Sequence, residues 1–392
     1  MGMDQKKVVL RCKVHQILRD VFGWVVGNLH FCNSYGLLCS TALVFMKIIL
    51  VCDSKMPVSP YDDDKERIVW ELGRALVRLG HEVCFLVRKG SVCDFAQVLI
   101  CHEKKPLEDQ IPMDADIVHF QEEPRQEISK PYVITQHDNS TKARTFDQNT
   151  VFLSDSHARL HGGSVFVYPG LNFSAYATPE LGVRRSWFHF LGNASKRGRN
   201  VRGAIDLASK VDTRLHVIGG SRVHFRQGLR IPLSPSARFH GALSPDGRDA
   251  LLNASKGMIF PVLWEEPFSL GVVESLYFGC PIFGTPYGAM PELLGKKVVL
   301  KDSTAPISGS VDAFFSDYGC LSVRKTEILE AIRNADDFDR IRCHEYAVEK
   351  FSAQRMAEDY LKLYAQVIRG KPLHAKAPML QQAPSDKLMT IS

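Results

Sequence analysis

The sequence predicts an α/β protein of two domains, each built on a mainly parallel sheet covered on both faces. Three observations carry this. Short apolar runs alternate with helical or loop segments along most of the chain, the pattern of strands buried on both sides. Within residues 257–294 a strand, a polar corner, a helix and a second strand succeed one another without a break. At 392 residues, 45% of them hydrophobic, the chain is long enough to bury two separate cores.

Composition narrows the function. The net charge of +6 is modest, and Lys and Arg do not interleave with aromatic residues, which argues against a nucleic-acid binder. It permits peripheral attraction to anionic lipid. The 10 cysteines are scattered singly, with no Cys-x-x-Cys and no His/Cys zinc spacing. They read as free thiols in a reducing compartment, and no metal is assigned to them.

Residues 1–45 differ in pattern from the rest of the chain. A basic opening, Lys6 to Arg19, precedes a stretch from Val21 to Phe45 without a charged residue, interrupted by Asn28, His30 and Asn33. By length it spans a bilayer, with the basic flank in the cytoplasm. The reading preferred here is an extension outside the fold, with Met46 as the natural start. From Met46 the pattern is regular. Residues 47–52 read as a buried strand, 57–64 as a loop and 65–79 as a helix with Ile68, Val69, Leu72, Leu76 and Leu79 on one face. Gly80 closes that helix, and residues 83–87 form the next strand. Further strand-like runs lie at 98–100, 117–120, 132–135, 151–153 and 165–168. These make a first domain of residues 46–180. A second domain, 181–350, begins with strands at 188–191, 215–220 and 238–243. Residues 351–369 form an amphipathic helix with Met356, Tyr360, Leu363, Tyr364 and Val367 on one side. The tail, 370–392, is rich in Pro, Ala, Lys and Gln and reads as disordered.

The corner at residues 264–274 carries the chemistry. Glu266 stands just before the helix and Glu274 about two turns inside it, so the pair spans roughly 12 Å along the axis. That is too far to share a proton and suits the two ends of an extended ligand. Between them the N–H groups of Phe268 to Leu270 and the positive helix end favour an anion. Hydroxyls at both ends with phosphate between describes a nucleotide sugar. The plain alternative is a first-turn carboxylate and a solvated helix residue.

The string Glu266-Pro267-Phe268-x-Leu270-Gly271-x-x-Glu274-Ser275, then Gly279-x-Pro281, closely resembles the signature of the family-4 retaining glycosyltransferases. That resemblance implies the GT-B fold: two Rossmann-like domains facing across a cleft, with the C-terminal helix crossing back to the first. It implies that Glu266 contacts the donor sugar, that Glu274 takes the ribose hydroxyls, and that backbone amides at Phe268, Ser269, Leu270 and Gly271 hold sugar and phosphate. The family usually has Gly where Ser269 stands. Residues 60–67 resemble the family's Gly-Gly loop with Asp62–Asp64 in place of the glycines, and Asp63 and Glu66 have capping-box spacing.

His137, at the carboxyl end of the 132–135 strand, matches the family's Thr-x-His corner against the donor sugar. Ser156 is read as a structural cap and His157 is left open. Tyr168 to Asn172 looks like the start of the interdomain hinge. In Gly192-Asn193-Ala194-Ser195-Lys196-Arg197-Gly198-Arg199, the resemblance implies Lys196 and Arg197 as the clamp on the leaving diphosphate, with Asn193 at the family's Arg position. Residues 238–243, including His240 and Gly241, resemble the strand whose backbone accepts the nucleotide base. The implied activity is retaining, metal-independent transfer of a hexosyl group to a glycan or lipid-linked acceptor, without a cofactor. It would be cytoplasmic or peripheral at the inner face of the membrane, which conflicts with a membrane-spanning 21–45. A catalytically silent sugar-nucleotide binder is the alternative. A nicotinamide enzyme is disfavoured, because Gly-x-Gly-x-x-Gly is missing after both Cys52 and Leu191.

Overall fold

The computed structural model describes residues 45–52, 57–59, 64–102, 104–219, 223–224, 229–230, 235–295, 313–382 and 388–392. The reading of residues 1–45 as an extension, Phe45 apart, and the Asp63 cap lie outside them. Among the described residues no helix is long and apolar enough to cross a membrane.

The first domain is a parallel sheet of β1 (Lys47–Cys52), β2 (Glu82–Val87), β3 (Gln97–Ile100), β4 (Ile117–Phe120) and β5 (Tyr132–Thr135). β6 (Arg144–Thr145) stands apart, and β7 (Thr150–Val151) closes the sheet in the order β3-β2-β1-β4-β5-β7. The run expected at 165–168 makes a single bridge, Phe152 to Phe166. The helices are α1 (Asp64–Arg78), whose apolar face buries Ile68, Val69, Leu72 and Leu76, and the short α2 (Asp155–Leu160).

The second sheet uses β8 (Trp187–Leu191), β9 (Leu215–Ile218), β12 (Ala237–Gly241), β13 (Ser255–Phe260), β14 (Ile282–Gly284), β15 (Ala313–Ser316) and β16 (Gly319–Ser322). β10 (Val223–His224) and β11 (Leu229–Arg230) pair separately. The order is β12-β9-β8-β13-β14-β16-β15, parallel except for the β15–β16 pair. Five helices accompany it: α3 (Val201–Lys210), α4 (Pro245–Asn253), α5 (Leu270–Tyr277), α6 (Met290–Leu293) and α7 (Lys325–Arg333). α8 (Arg340–Lys350) packs on α5.

Both sheets are doubly wound. After β1 the chain runs out to β2 and β3, then returns to place β4 on the other side; β8, β9 and β13 repeat the manoeuvre. Each reversal leaves a crevice at the carboxyl ends of two neighbouring strands, where open parallel sheets bind ligands.

α9 (Ala353–Ile368) crosses back onto the first domain, against α1 and β5. A buried polar seam fixes its register. His119 on β4 bonds Tyr364 through Nδ1 and Thr135 through Nε2, both at 2.7 Å, and Thr135 bonds Tyr360 at 2.7 Å. The described parts of the tail, 370–382 and 388–392, correct the expectation of disorder. β17 (Met379–Leu380) pairs antiparallel with β6, and the Phe146 N–H donates to the Pro378 carbonyl. Leu373, His374 and Leu380 are buried. The polar composition of the tail concealed these anchors, and backbone pairing needs no particular side chains.

Candidate active site

A cavity of about 490 Å³ opens between the domains, at the reversal of the second sheet. One wall is the pair of loops after β8 and β13. In the first, residues 197–199 form a single 3-10 turn. That turn puts Lys196 and Arg199, three apart, on the cavity side and leaves Arg197 exposed on the other. The second cation that lines the cavity beside Lys196 is Arg199, and Arg197 is not among the lining residues. Arg199 is buried, lies 3.4 Å from the Glu266 carboxylate, and crosses Gly192, where a Cβ would stand 3.0 Å from its guanidinium. Gly192 is the residue that leaves room for it.

The β13 loop presents Glu266, and the helix that follows it, α5, presents Glu274. Glu266, 2% exposed, accepts the indole N–H of Trp264 at 2.7 Å. Ser269 caps α5, its hydroxyl accepting the Val272 N–H at 3.4 Å, which is why the helix starts at Leu270 and not at Phe268. Gly271 packs so close to β8 that a Cβ would meet the Leu191 carbonyl at 2.9 Å. Glu274, 4% exposed, has three partners on one oxygen: Arg67 at 3.0 Å, Arg248 at 3.0 Å and the Tyr176 hydroxyl at 2.9 Å. Tyr176 lies between the two guanidiniums, 5.6 Å and 4.9 Å from its ring centre, and bonds Arg67 as well. Burial would raise the Glu274 carboxyl, but Arg67 and Arg248 outweigh it and hold it below the ordinary carboxylate value. These partners come from α1, α4 and the linker, and none of them takes Oε2.

The facing wall belongs to the first domain. Lys65, Glu66 and Arg67 line it from α1 and His137 from the loop after β5. His137 Nε2 bonds the Gln121 side-chain oxygen at 2.7 Å. Burial, with help from Lys65, holds this imidazole well below its ordinary pKa, so it is neutral at pH 7. Outside the cavity the domains are pinned by Glu292 on α6. It accepts the Asp155 and Ser156 N–H groups at the start of α2, each at 2.9 Å, and the Tyr168 hydroxyl at 2.8 Å. Ser154, not Ser156, caps α2. His157 sits among Phe152 and His161, and burial pushes it down to about 3.

Of the residues expected from the sequence, His137, Lys196, Glu266, Phe268, Leu270 and Glu274 meet in the cavity. Ser269 and Gly271 shape the helix start behind it. Arg197, His240 and Gly241 stand elsewhere. His240 stacks on His216 and bonds it at 3.1 Å, and the Gly241 carbonyl accepts the Gly219 N–H at 2.9 Å. That end of the cavity is lined by Ile218, Gly219 and Ala242 instead. Arg67, Arg248 and Tyr176 were missed, because pairs separated by up to 207 residues leave no local spacing to read.

Known proteins share the fold and part of the sequence. Residues 188–314, most of the second domain, match the family described as glycosyl transferases group 1. Among solved structures the chain is similar to a glycosyltransferase involved in avilamycin A biosynthesis, with 19% identity, a TM-score of 0.61 and coverage of 83% of this chain and 98% of that one. Sucrose-phosphate synthase of Thermosynechococcus elongatus gives 14% identity and a TM-score of 0.59, over 83% of this chain and 100% of that one. The Anabaena protein HepE, solved with UDP and glucose, gives 13% identity and a TM-score of 0.53, over 82% and 100%. No curated protein matches in sequence. The fold is that of the GT-B glycosyltransferases. Its second domain carries the sequence pattern of the group 1 family.

Proposed function

We propose that the protein is a retaining glycosyltransferase that moves a hexosyl group from a nucleoside diphosphate sugar to an acceptor hydroxyl. The single observation that carries this reading is the second-domain wall, where Lys196 and Arg199 face the start of α5 between two buried carboxylates. An extended ligand with a central diphosphate fits that order. Glu274 Oε2 takes the ribose hydroxyls, the helix start and the two cations take the phosphates, and Glu266 meets the sugar. Charge accumulates on the departing diphosphate, and the Lys196 ammonium has no carboxylate partner among the described residues. The route that asks least of these side chains is one in which the leaving phosphate takes the acceptor proton on the face where the sugar leaves, with no side-chain base. This route uses no metal and no cofactor. The reaction belongs to synthesis of a cell-surface glycan or glycolipid, in the cytoplasm where nucleotide sugars are made, with a net charge of +6 suited to peripheral contact with anionic membrane.

Thermal denaturation with a panel of nucleoside diphosphates tests the donor site, since a ligand that binds only the folded form raises its melting temperature. Donor hydrolysis and transfer, measured beside Glu274→Ala, test the chemistry. Stabilisation without either activity in the wild type would identify a silent binder instead.

A further inference from the structure

We propose that a cavity where the chain crosses between the domains binds a small, soluble phosphate monoester that carries a hydroxyl group. The cavity holds about 280 Å³ and shares no lining residue with the cleft described above. The chain crosses twice, out through residues 171–173 and back through 352–354, and the two crossings run side by side. The Leu171 N–H donates to the Phe351 carbonyl at 2.8 Å, and the Ala353 N–H donates to the Leu171 carbonyl at 2.9 Å. Both crossings line the cavity, together with α1 of the first domain and Val348 of α8. A ligand held there touches both crossings at once, so its affinity is linked to how the domains stand to each other.

The chemistry comes from one stripe of α1. Arg67, Glu71, Arg74 and Arg78 follow at intervals of four, three and four, the spacing of a single helix face. Arg67 belongs to the donor cleft, and the other three line this cavity. Arg78 is exposed and Arg74 half-buried. Arg78 donates to the Asn172 side-chain oxygen at 3.0 Å, and Arg74 lies 5.1 Å from the ring centre of Trp70. Among the described residues neither makes an ion pair with a carboxylate. Two such guanidiniums one turn apart suit the charge and the three oxygens of a phosphate monoester. Glu71 lies deeper, 3% exposed. It accepts the Asn172 backbone N–H, and its Oε2 has no partner. Burial raises this carboxyl above its ordinary value against the opposing charge of Arg67, Arg74 and Arg78. A ligand hydroxyl near the phosphate supplies the missing donor, reached by a turn of the carboxylate. Leu79, Leu171 and Phe173 give the carbon skeleton between them an apolar wall. The lipid phosphatidic acid offers the same phosphate monoester but no hydroxyl, which favours the soluble ligand.

The test is calorimetry on the full chain with three probes: glycerol 3-phosphate, propyl phosphate, which has the same length without the hydroxyls, and vesicles containing phosphatidic acid. Glycerol 3-phosphate is expected to bind, about tenfold tighter than propyl phosphate. Arg74→Gln and Arg78→Gln should each weaken it about tenfold or more, the usual share of a charged hydrogen bond. Lys196→Ala, in the donor cleft, should leave it unchanged. A saturating nucleoside diphosphate should shift its Kd by about threefold or more, and an unchanged Kd overturns the link to the domains. The site itself is overturned by binding to the vesicles alone, by equal affinity for the two soluble probes, or by binding that Lys196→Ala abolishes and both arginine variants keep. If no nucleoside diphosphate binds, the glycosyltransferase reading fails, while the three probes still decide this one.

Discussion

Two clusters in the cleft are built on opposite principles. Around the two carboxylates of the second domain the polar groups are charged and paired: Arg67 from the first domain, Arg248 and Tyr176 converge on Glu274, while Arg199 and Trp264 hold Glu266. Around His137 the groups are neutral and incompletely paired, with one His137–Gln121 bond and unpartnered atoms on both side chains. The contrast separates a preorganised electrostatic cluster from a neutral pair that keeps hydrogen-bonding capacity in reserve.

The sharpest way to break the contrast is Glu274→Ala. It strands Arg67 and Arg248 without their shared counter-charge, and a loss of about 3–5 kcal/mol in unfolding free energy is expected. Chemical denaturation measures it, and a loss below about 1 kcal/mol would mean that the cluster is not organised around that carboxylate. Arg199→Ala should lower kcat by about two orders of magnitude, near 3 kcal/mol, while Arg197→Ala should change it by less than about threefold. Equal effects of the two would reverse the assignment drawn from the 3-10 turn.

Acid should loosen the molecule before it touches Glu274. Burial pushes His119, His157 and His189 down to about 3, so below pH 6.5 the unfolded chain binds protons that the folded one refuses. Stability should be complete above pH 6.5 and fall by about 1.4 kcal/mol per ring and per pH unit as pH drops toward 3. Glu274 runs differently: its depressed carboxyl contributes stability above the usual carboxylate range and loses it only at lower pH. Melting temperatures between pH 7 and 4, with and without His119→Gln, resolve the two regimes; a flat profile down to pH 5 would refute the histidine part. The smallest effect is at the cap. Ser269→Ala should cost about 1 kcal/mol and Ser269→Gly a few tenths, both read from melting curves. A larger loss for Gly would show that the hydroxyl does more than cap α5.

Legibility in the sequence divides along the same line. The corner was legible because its parts are neighbours: a strand, Glu266, a helix start and Glu274 lie within one stretch whose spacing fixes their geometry. The α/β architecture and the amphipathic C-terminal helix were legible from periodicity, and the return of that helix to the first domain from the family resemblance. The cations were half legible. A glycine-flanked basic loop announces itself, but whether Arg197 or Arg199 lines the cavity depends on the pitch of one turn. Arg67, Arg248, Glu292 and the Gln121–His137 pair could not be read, since each depends on how two distant segments pack. Ser269 stands where the resembled family usually has Gly, and only the structure shows that its hydroxyl caps the start of α5.

The tail sets a mechanical limit. Leu380 is stitched to the first domain through β6, while the Met389 N–H donates to the Leu263 carbonyl in the second, beside the Trp264 corner. Nine peptide units join these anchors, a leash whose taut length is about 30 Å. Any movement of the two anchored parts away from each other has a finite stroke on that side, and a wider gape requires one of the two stitches to come undone first.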